Sequence, residues 1–88
     1  MPEVWIPTLM RSLSAGQDRV QVEGSNVRQV IENLDKQFPG MKQRLMEDGR
    51  LMPGISVIVD GQQSQLGLLE RLEQASEVHF LPAIGGGL

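Results

Sequence analysis

A chain of 88 residues, 40% of them hydrophobic, is long enough for one domain with a small core. Its formal net charge of −3 argues against nucleic-acid binding, because no basic stripe can replace the counterions of a phosphate backbone. The absence of cysteine excludes disulfides, thiolate metal sites and cysteine nucleophiles, and it fits a reducing compartment. No signal-peptide pattern and no membrane-length apolar run occurs in the sequence. We therefore expect a cytoplasmic protein that binds neither nucleic acid nor membrane.

The first elements are two predicted strands. In "EVWIPT", Val4 and Ile6 alternate with polar or bulky neighbours, which is the pattern of a strand with one face in the core. The stretch "SAGQD" is a turn cluster, and "RVQVEG" predicts a second strand with Val20 and Val22 inward. We expect an antiparallel hairpin joined by a short turn that contains glycine.

A helix follows, because the apolar residues of "SNVRQVIENLDKQFPG" recur at helical spacing and form one stripe. That stripe consists of Val27, Val30, Ile31, Leu34 and Phe38. Asn26 can cap the helix, with Gln29 three residues later to reach back, and Pro39-Gly40 should end it.

The second half of the chain contains shorter elements. "MKQRLME" predicts a short second helical turn, and "DGRLMPG" predicts a loop. "ISVIVDGQQ" predicts a strand with Ser56 and Ile58 on one face, and Asp60-Gly61 indicates a tight turn into a short return strand. The opposite face of that strand should carry Ile55, Val57 and Val59.

A partly helical connection and a last strand complete the chain. "LGLLERLEQAS" should use Leu69 and Leu72 to close the core. In "EVHFLP", the residues predicted to point inward are Val78 and Phe80, and those predicted to point outward are His79 and Leu81.

The order β-β-α-β-(β)-β describes an α+β fold of the β-grasp, or ubiquitin-like, class. We expect a mixed sheet of four to five strands, covered on one face by one main helix, because the helix has only one apolar stripe to bury. A ferredoxin-like sandwich is less favoured, since the second helix is short. Residues 1–82 should form this domain, and residues 83–88 should form a flexible glycine-rich C-terminal tail.

The sequence offers no intrinsic active site. His79 is the single histidine, and we see no serine or carboxylate spaced to partner it. The acidic residues are scattered along helix faces, which is not the pattern of metal ligands. The terminal glycines precede no helix and so cannot form a phosphate loop. We therefore predict a protein that is not an enzyme, with no catalytic residue, no metal and no cofactor bound by the domain itself.

The C-terminal "VHFLPAIGGG", placed directly after the last strand of a β-grasp, resembles the end of the ubiquitin-like sulfur carriers of the MoaD/ThiS superfamily. This superfamily includes carriers for molybdopterin, thiamine and cysteine biosynthesis. The N-terminal "VWIPTLMR" followed by a "GQ" turn most resembles the cysteine-pathway carriers. The resemblance runs along nearly the whole chain.

This resemblance implies that Gly87 is adenylated by a partner enzyme and then converted to a thiocarboxylate. The tail motif is Gly85, Gly86 and Gly87, because only a thin, freely rotating tail can thread into a buried ATP site. The implied partners are an E1-like adenylating and sulfurtransferase enzyme, which uses the ATP, and a sulfur-accepting synthase. Which biosynthetic pathway receives the sulfur stays open.

Leu88 departs from the family pattern, because mature carriers end at the second glycine. It would place the carboxyl group about 3.5 Å beyond the expected position. Either a processing metalloprotease removes Leu88, or Leu88 is left from an expression vector.

Recognition by a partner requires a surface. Four residues should share the sheet face opposite the helix and form a partner-docking face: Trp5, Ile58, His79 and Leu81. The alternative is that loops cover some of them. Two other functions stay open for the chain as a whole, namely a ubiquitin-like modifier conjugated to proteins through Gly87 and a non-catalytic interaction module with an inert tail.

Overall fold

The computed structural model describes residues 1–81. Its strands are β1 (Glu3–Trp5), β2 (Arg19–Gln21), β3 (Met46–Glu47), β4 (Arg50–Leu51), β5 (Ser56–Val59), β6 (Gln62–Gln63) and β7 (Glu77–Leu81). Its helices are α1 (Val27–Gln37) and α2 (Met41–Leu45), with a first 3-10 helix at Thr8–Met10 and a second at Gly67–Leu69. The predicted boundary after residue 82 and the tail 83–88 lie outside the described residues.

The main sheet has five strands in the order β2-β1-β7-β5-β6. The central strand β7 runs parallel to β1, while the other neighbours pair antiparallel. The sheet is therefore mixed, and α1 covers one of its faces. This topology confirms the predicted β-grasp fold.

The helix α1 forms as its sequence predicts. The side chain of Asn26 accepts a hydrogen bond of 2.8 Å from the backbone N–H of Gln29, which caps the first turn. The Gln29 side chain reaches one residue further back than predicted and accepts from the backbone N–H of Ser25. Val27, Val30, Ile31 and Leu34 are fully buried, and Phe38 packs against the core just beyond the last helical residue.

The inner face of the sheet supplies the other half of the core. Val4, Val57, Val78 and Phe80 are all at most 3% exposed, and they face the α1 stripe as expected. Val59 is only partly buried, because it lies beside the edge strand β6. The Asp60-Gly61 turn is confirmed: both residues have positive φ, and β5 pairs with β6 across this two-residue loop.

Three details of the prediction are wrong. The β1–β2 connection is not a short turn but runs over residues 6–18, because the first 3-10 helix folds Met10 into the core. "DGRLMPG" is not simply a loop: Asp48-Gly49, with φ of 54° and 76°, joins β3 to β4 in a small hairpin. Leu69 is 71% exposed, and Leu68 packs against the core in its place.

None of the helices within residues 1–81 combines the length and the apolar character that crossing a lipid bilayer requires.

Candidate functional site

The outer face of the main sheet, opposite α1, carries the four residues that the sequence predicts as a docking face. Trp5 lies directly opposite His79 across the β1–β7 pair, and His79 lies directly opposite Ile58 across the β7–β5 pair. Leu81 follows two residues after His79 and therefore shares its face. The structure thus brings Trp5, His79 and Ile58 into one row across three adjacent strands, with Leu81 beside it. Their role in docking stays a prediction.

These four side chains differ in exposure. Leu81 is 51% exposed, whereas Trp5, His79 and Ile58 are half-buried. Half-burial means that neighbouring side chains on the open face shield them in part, while each keeps surface that a partner can contact. The row therefore combines partly buried side chains with apolar area that a partner can contact.

Trp5 sits at the centre of a stacked arrangement. Its ring lies parallel to that of His79, with an interplanar angle of 10° and centroids 5.1 Å apart. The guanidinium carbon of Arg19, the opposite neighbour of Trp5 on β2, lies 5.1 Å from the Trp5 ring centroid. The indole of Trp5 is thus contacted from both neighbouring strands, by His79 of β7 and by Arg19 of β2.

The indole N–H of Trp5 is shielded from solvent and contacts no acceptor among residues 1–81. An unpaired buried donor costs about 1–3 kcal/mol. Trp5 is therefore held by packing and stacking, without support from a hydrogen bond within the described chain.

His79 has one contact that the sequence analysis missed. Its Nε2 lies 3.8 Å from a carboxylate oxygen of Glu77, because residues two apart on a strand point to the same face. The expectation that no carboxylate is spaced to partner this histidine is wrong, because Glu77 lies beside it. Ser56, the nearest serine in register, lies opposite Leu81 and not opposite His79. Glu77 and His79 thus form a surface contact, and no serine among residues 1–81 lies opposite His79 in the sheet.

Within residues 1–81, no three acidic or histidine side chains come close enough together to hold a metal ion. The predicted tail residues Gly85, Gly86 and Gly87, together with Leu88, lie outside the described residues. The last residue that the structure describes is Leu81, at the end of β7, and β7 lies beside β1 in the main sheet.

A groove of about 300 Å³ runs along the end of β7 and continues the docking face toward the β1–β2 connection. Its walls include Trp5, His79 and Leu81, and also Leu9 and Arg11 of that connection. Leu9 is 81% exposed. No element was predicted for "TLMR", so Leu9 and Arg11 were not predicted as site residues, and only the fold shows that this segment borders the last strand.

Comparisons with known proteins identify the family of this chain. The family model described as "ThiS family" matches residues 4–87. Sulfur carrier protein CysO of Mycobacterium tuberculosis is 30% identical over 89 aligned residues, which cover 96% of each protein. Small archaeal modifier protein 3 of Haloferax volcanii is 27% identical over 67 residues, covering 74% of this chain and 73% of that protein.

A solved structure extends the similarity to three dimensions. One chain in the crystal structure of the Amycolatopsis orientalis BexX/CysO complex matches with a TM-score of 0.92 and 28% identity, covering 99% of this chain and 100% of that one. The β-grasp fold, the terminal glycine motif and the family match over residues 4–87 point to one conclusion. This chain belongs to the ThiS family and is a ubiquitin-like sulfur carrier protein.

Proposed function

We propose that Gly87 is the residue that carries the sulfur, as a C-terminal thiocarboxylate. An α-carboxyl group is ionised at neutral pH and is a poor electrophile, so it must be activated first. A Gly87 carboxylate oxygen attacks the α-phosphorus of ATP, and pyrophosphate leaves. A hydrosulfide ion then attacks the acyl carbon, AMP leaves with the bonding electron pair, and one proton is released. The product is a thiocarboxylate that can donate its sulfur in biosynthesis.

The family match carries this proposal, because it runs to residue 87 and so includes the complete glycine motif. The distance from the folded domain also fits. Gly87 lies six residues beyond Leu81, the last residue of β7, and six residues span at most about 20–22 Å. That length is enough to enter a buried pocket on a protein that contacts the end of β7.

The catalytic groups and the ATP belong to the partner in this scheme. The carrier supplies its terminal carboxyl group and a surface for recognition, and it is not itself an enzyme. The partner is an E1-like adenylating and sulfurtransferase enzyme, and a sulfur-accepting synthase receives the sulfur. One chain of the solved BexX/CysO complex is similar to this chain, which supports binding of a protein of this shape to a partner.

Leu88 follows Gly87 in the sequence, so a free Gly87 carboxyl group exists only after the peptide bond between them is cleaved. We assign this cleavage to a processing metalloprotease. Leu88 would displace the reacting carboxyl group by about 3.5 Å. Misplacement of reacting atoms by about 1 Å can lower a rate about 10²-fold.

The recipient pathway is cysteine biosynthesis in this proposal. The similarity of the whole chain to proteins named sulfur carrier protein CysO supports that choice over molybdopterin or thiamine synthesis. Transfer of sulfur from the Gly87 thiocarboxylate to purified synthases of the three pathways would distinguish them.

The test compares two chains, one ending at Gly87 and one ending at Leu88, each incubated with a cognate adenylating enzyme, ATP and sulfide. We expect the Gly87 form to release pyrophosphate and to gain the mass that replaces one oxygen atom by sulfur. The Leu88 form should do neither, while its melting temperature stays that of the Gly87 form. Equal activation of both forms would contradict the role of Gly87, and activation of neither would contradict the carrier chemistry.

A second function is conjugation to lysines of other proteins through Gly87. The similarity to small archaeal modifier protein 3 favours testing it. Expression of the tagged Gly87 form in its native cell would then give a ladder of larger species on a denaturing gel, and Gly87→Val should abolish that ladder.

A further inference from the structure

The end of the molecule at which β7 ends has two apolar grooves. The first, of about 300 Å³, is the groove bordered by Trp5 and Leu81. The second, of about 150 Å³, lies between the first 3-10 helix and the segment around Leu45 and Ile55. Both grooves are lined by Leu9 and by Phe80, which is only 3% exposed. Leu9 therefore forms a ridge between two apolar depressions.

The exposure of Leu9 follows from the local fold. The first 3-10 helix buries Met10, which is 7% exposed, and turns the preceding Leu9 outward to 81% exposure. An isolated exposed leucine needs no explanation, but a leucine ridge between two grooves adds to the apolar area already present at Trp5, Ile58 and Leu81.

Each groove also has one cation. Arg11 lines the first groove and Arg44 lines the second, and no acidic residue among residues 1–81 lines either groove. Neither arginine forms a salt bridge with any side chain of residues 1–81. The Nε of Arg11 donates a hydrogen bond of 3.2 Å to the backbone carbonyl of Ile6, which fixes the guanidinium beside its groove. On a protein of net charge −3, this end thus carries two cations on either side of an apolar ridge.

The opposite end of the same sheet carries acidic side chains instead of arginines. Within residues 1–81, the concavity there is lined by Glu3 and Glu77, which lie directly opposite each other on β1 and β7, and by Met1, but by no lysine or arginine side chain. A partner surface that is acidic around an apolar centre would be attracted to the Leu9 end and repelled from the Glu3 end.

The reach of the tail determines which end a partner must contact. An enzyme that acts on Gly87 has its reacting atoms within about 20–22 Å of Leu81, which borders the first groove. This reach favours contact between the body of that enzyme and the end of the domain that carries Leu9, Arg11 and Arg44.

We propose that Leu9, Arg11 and Arg44 form a docking element in addition to the outer sheet face. Its occupant is the adenylating enzyme, through a surface with an apolar pocket for Leu9 flanked by acidic side chains that face the two arginines. This inference depends on the proposed function, because it assumes an enzyme that acts on Gly87.

The test uses the chain ending at Gly87 and measures pyrophosphate release as a function of carrier concentration. Leu9→Ala should raise KM about tenfold or more, because truncating a central apolar anchor typically weakens binding by at least that factor. Arg11→Glu and Arg44→Glu should each raise KM about threefold to tenfold at low salt. Because the altered contacts are remote from the reacting carboxyl group, kcat should stay unchanged in all three variants.

The dependence of KM on salt concentration distinguishes the charged contacts of the two arginines from the apolar contact of Leu9. The effect of the arginine variants should shrink between about 0.05 M and about 0.5 M NaCl, whereas that of Leu9→Ala should persist. Arg28→Glu is the matched control, since it makes the same charge change at an exposed residue in the first turn of α1 that lines neither groove. Melting temperatures show whether each variant is folded. Arg11→Glu removes the hydrogen bond to the carbonyl of Ile6 and can therefore destabilise the domain. Arg44→Glu breaks no side-chain hydrogen bond within residues 1–81, so it tests the charge effect even if Arg11→Glu unfolds.

Two failures are distinguishable in this design. If the unaltered Gly87 form is not activated, the proposed function fails and this inference fails with it. If that form is activated while Leu9→Ala and Arg44→Glu keep the KM of Arg28→Glu, the docking element is wrong and the carrier chemistry stands.

Discussion

The two faces of the five-stranded sheet are built from alternate residues of the same strands, yet they differ sharply in burial. On the face toward α1, Val4, Val57 and Val78 are at most 2% exposed. On the other face, each of their strands presents a residue that remains accessible, namely Trp5, Ile58 and His79. Burial of apolar area stabilises the domain, so the inner face supports the fold while the outer face keeps apolar area for a partner.

This division implies that stability and recognition can be changed separately. A substitution on the inner face should unfold the domain and lower every activity with it. A substitution of Leu81, the most exposed of the four outer-face residues, should leave the free energy of unfolding nearly unchanged and weaken the complex with the proposed adenylating enzyme.

The largest expected effect is on the inner face. Leu34→Ala removes a fully buried side chain from the α1 stripe and should lower the free energy of unfolding by about 2–5 kcal/mol. Denaturant titration followed by circular dichroism measures this. Leu69→Ala is the matched control, because Leu69 is 71% exposed and the same truncation there should cost less than about 0.5 kcal/mol. Equal losses at both sites would contradict the packing of α1 on the sheet.

A smaller effect is expected on the outer face. Leu81→Asp places a charge at a site that is 51% exposed, so the domain should stay folded. Binding to the adenylating enzyme should weaken by about 1–4 kcal/mol, as for a central apolar anchor. Titration calorimetry with the Gly87 form measures the affinity. Leu69→Asp is the control, since the second 3-10 helix packs near α1 and β4, away from that face. Unfolding of Leu81→Asp, or an affinity equal to that of Leu69→Asp, would show that the docking face is misassigned.

The contrast between the faces was predictable from the sequence because it depends on periodicity alone. Alternation in β1, β5 and β7 and the 3.6-residue repeat in α1 each place side chains relative to their own element. The resulting core and the β-grasp order are confirmed. The terminal glycine motif was equally visible, although its chemical role follows from resemblance to a family and not from any pattern of spacing.

The segments without a sustained period were predicted less well. In the second 3-10 helix, Leu68 and Leu69 are adjacent and equally apolar, and only the packing of the complete fold decides that Leu68 is inside. For the same reason, no sequence pattern distinguishes exposed Leu9 from buried Met10. The part of the candidate site on the β1–β2 connection was therefore not predictable, whereas the part on the strands was.

The smallest expected effect concerns the energetic coupling between two stacked side chains of the outer face. The stacked rings of Trp5 and His79 should be coupled by about 0.5–1.5 kcal/mol in a double-mutant cycle built from Trp5→Leu, His79→Gln and the double variant. Unfolding free energies from circular dichroism give this coupling. Trp5 with Ile58 is the control pair, because His79 lies between them in the row and their coupling should be near zero.

Coupling between Trp5 and His79 would mean that the docking face is ordered before a partner arrives, which lowers the entropy that binding must remove. His79→Gln should then weaken the complex with the adenylating enzyme although its own contact area is small, because it releases Trp5. If the Trp5–His79 coupling is no larger than the Trp5–Ile58 coupling, the stack does not order Trp5, and the two residues contribute to docking independently.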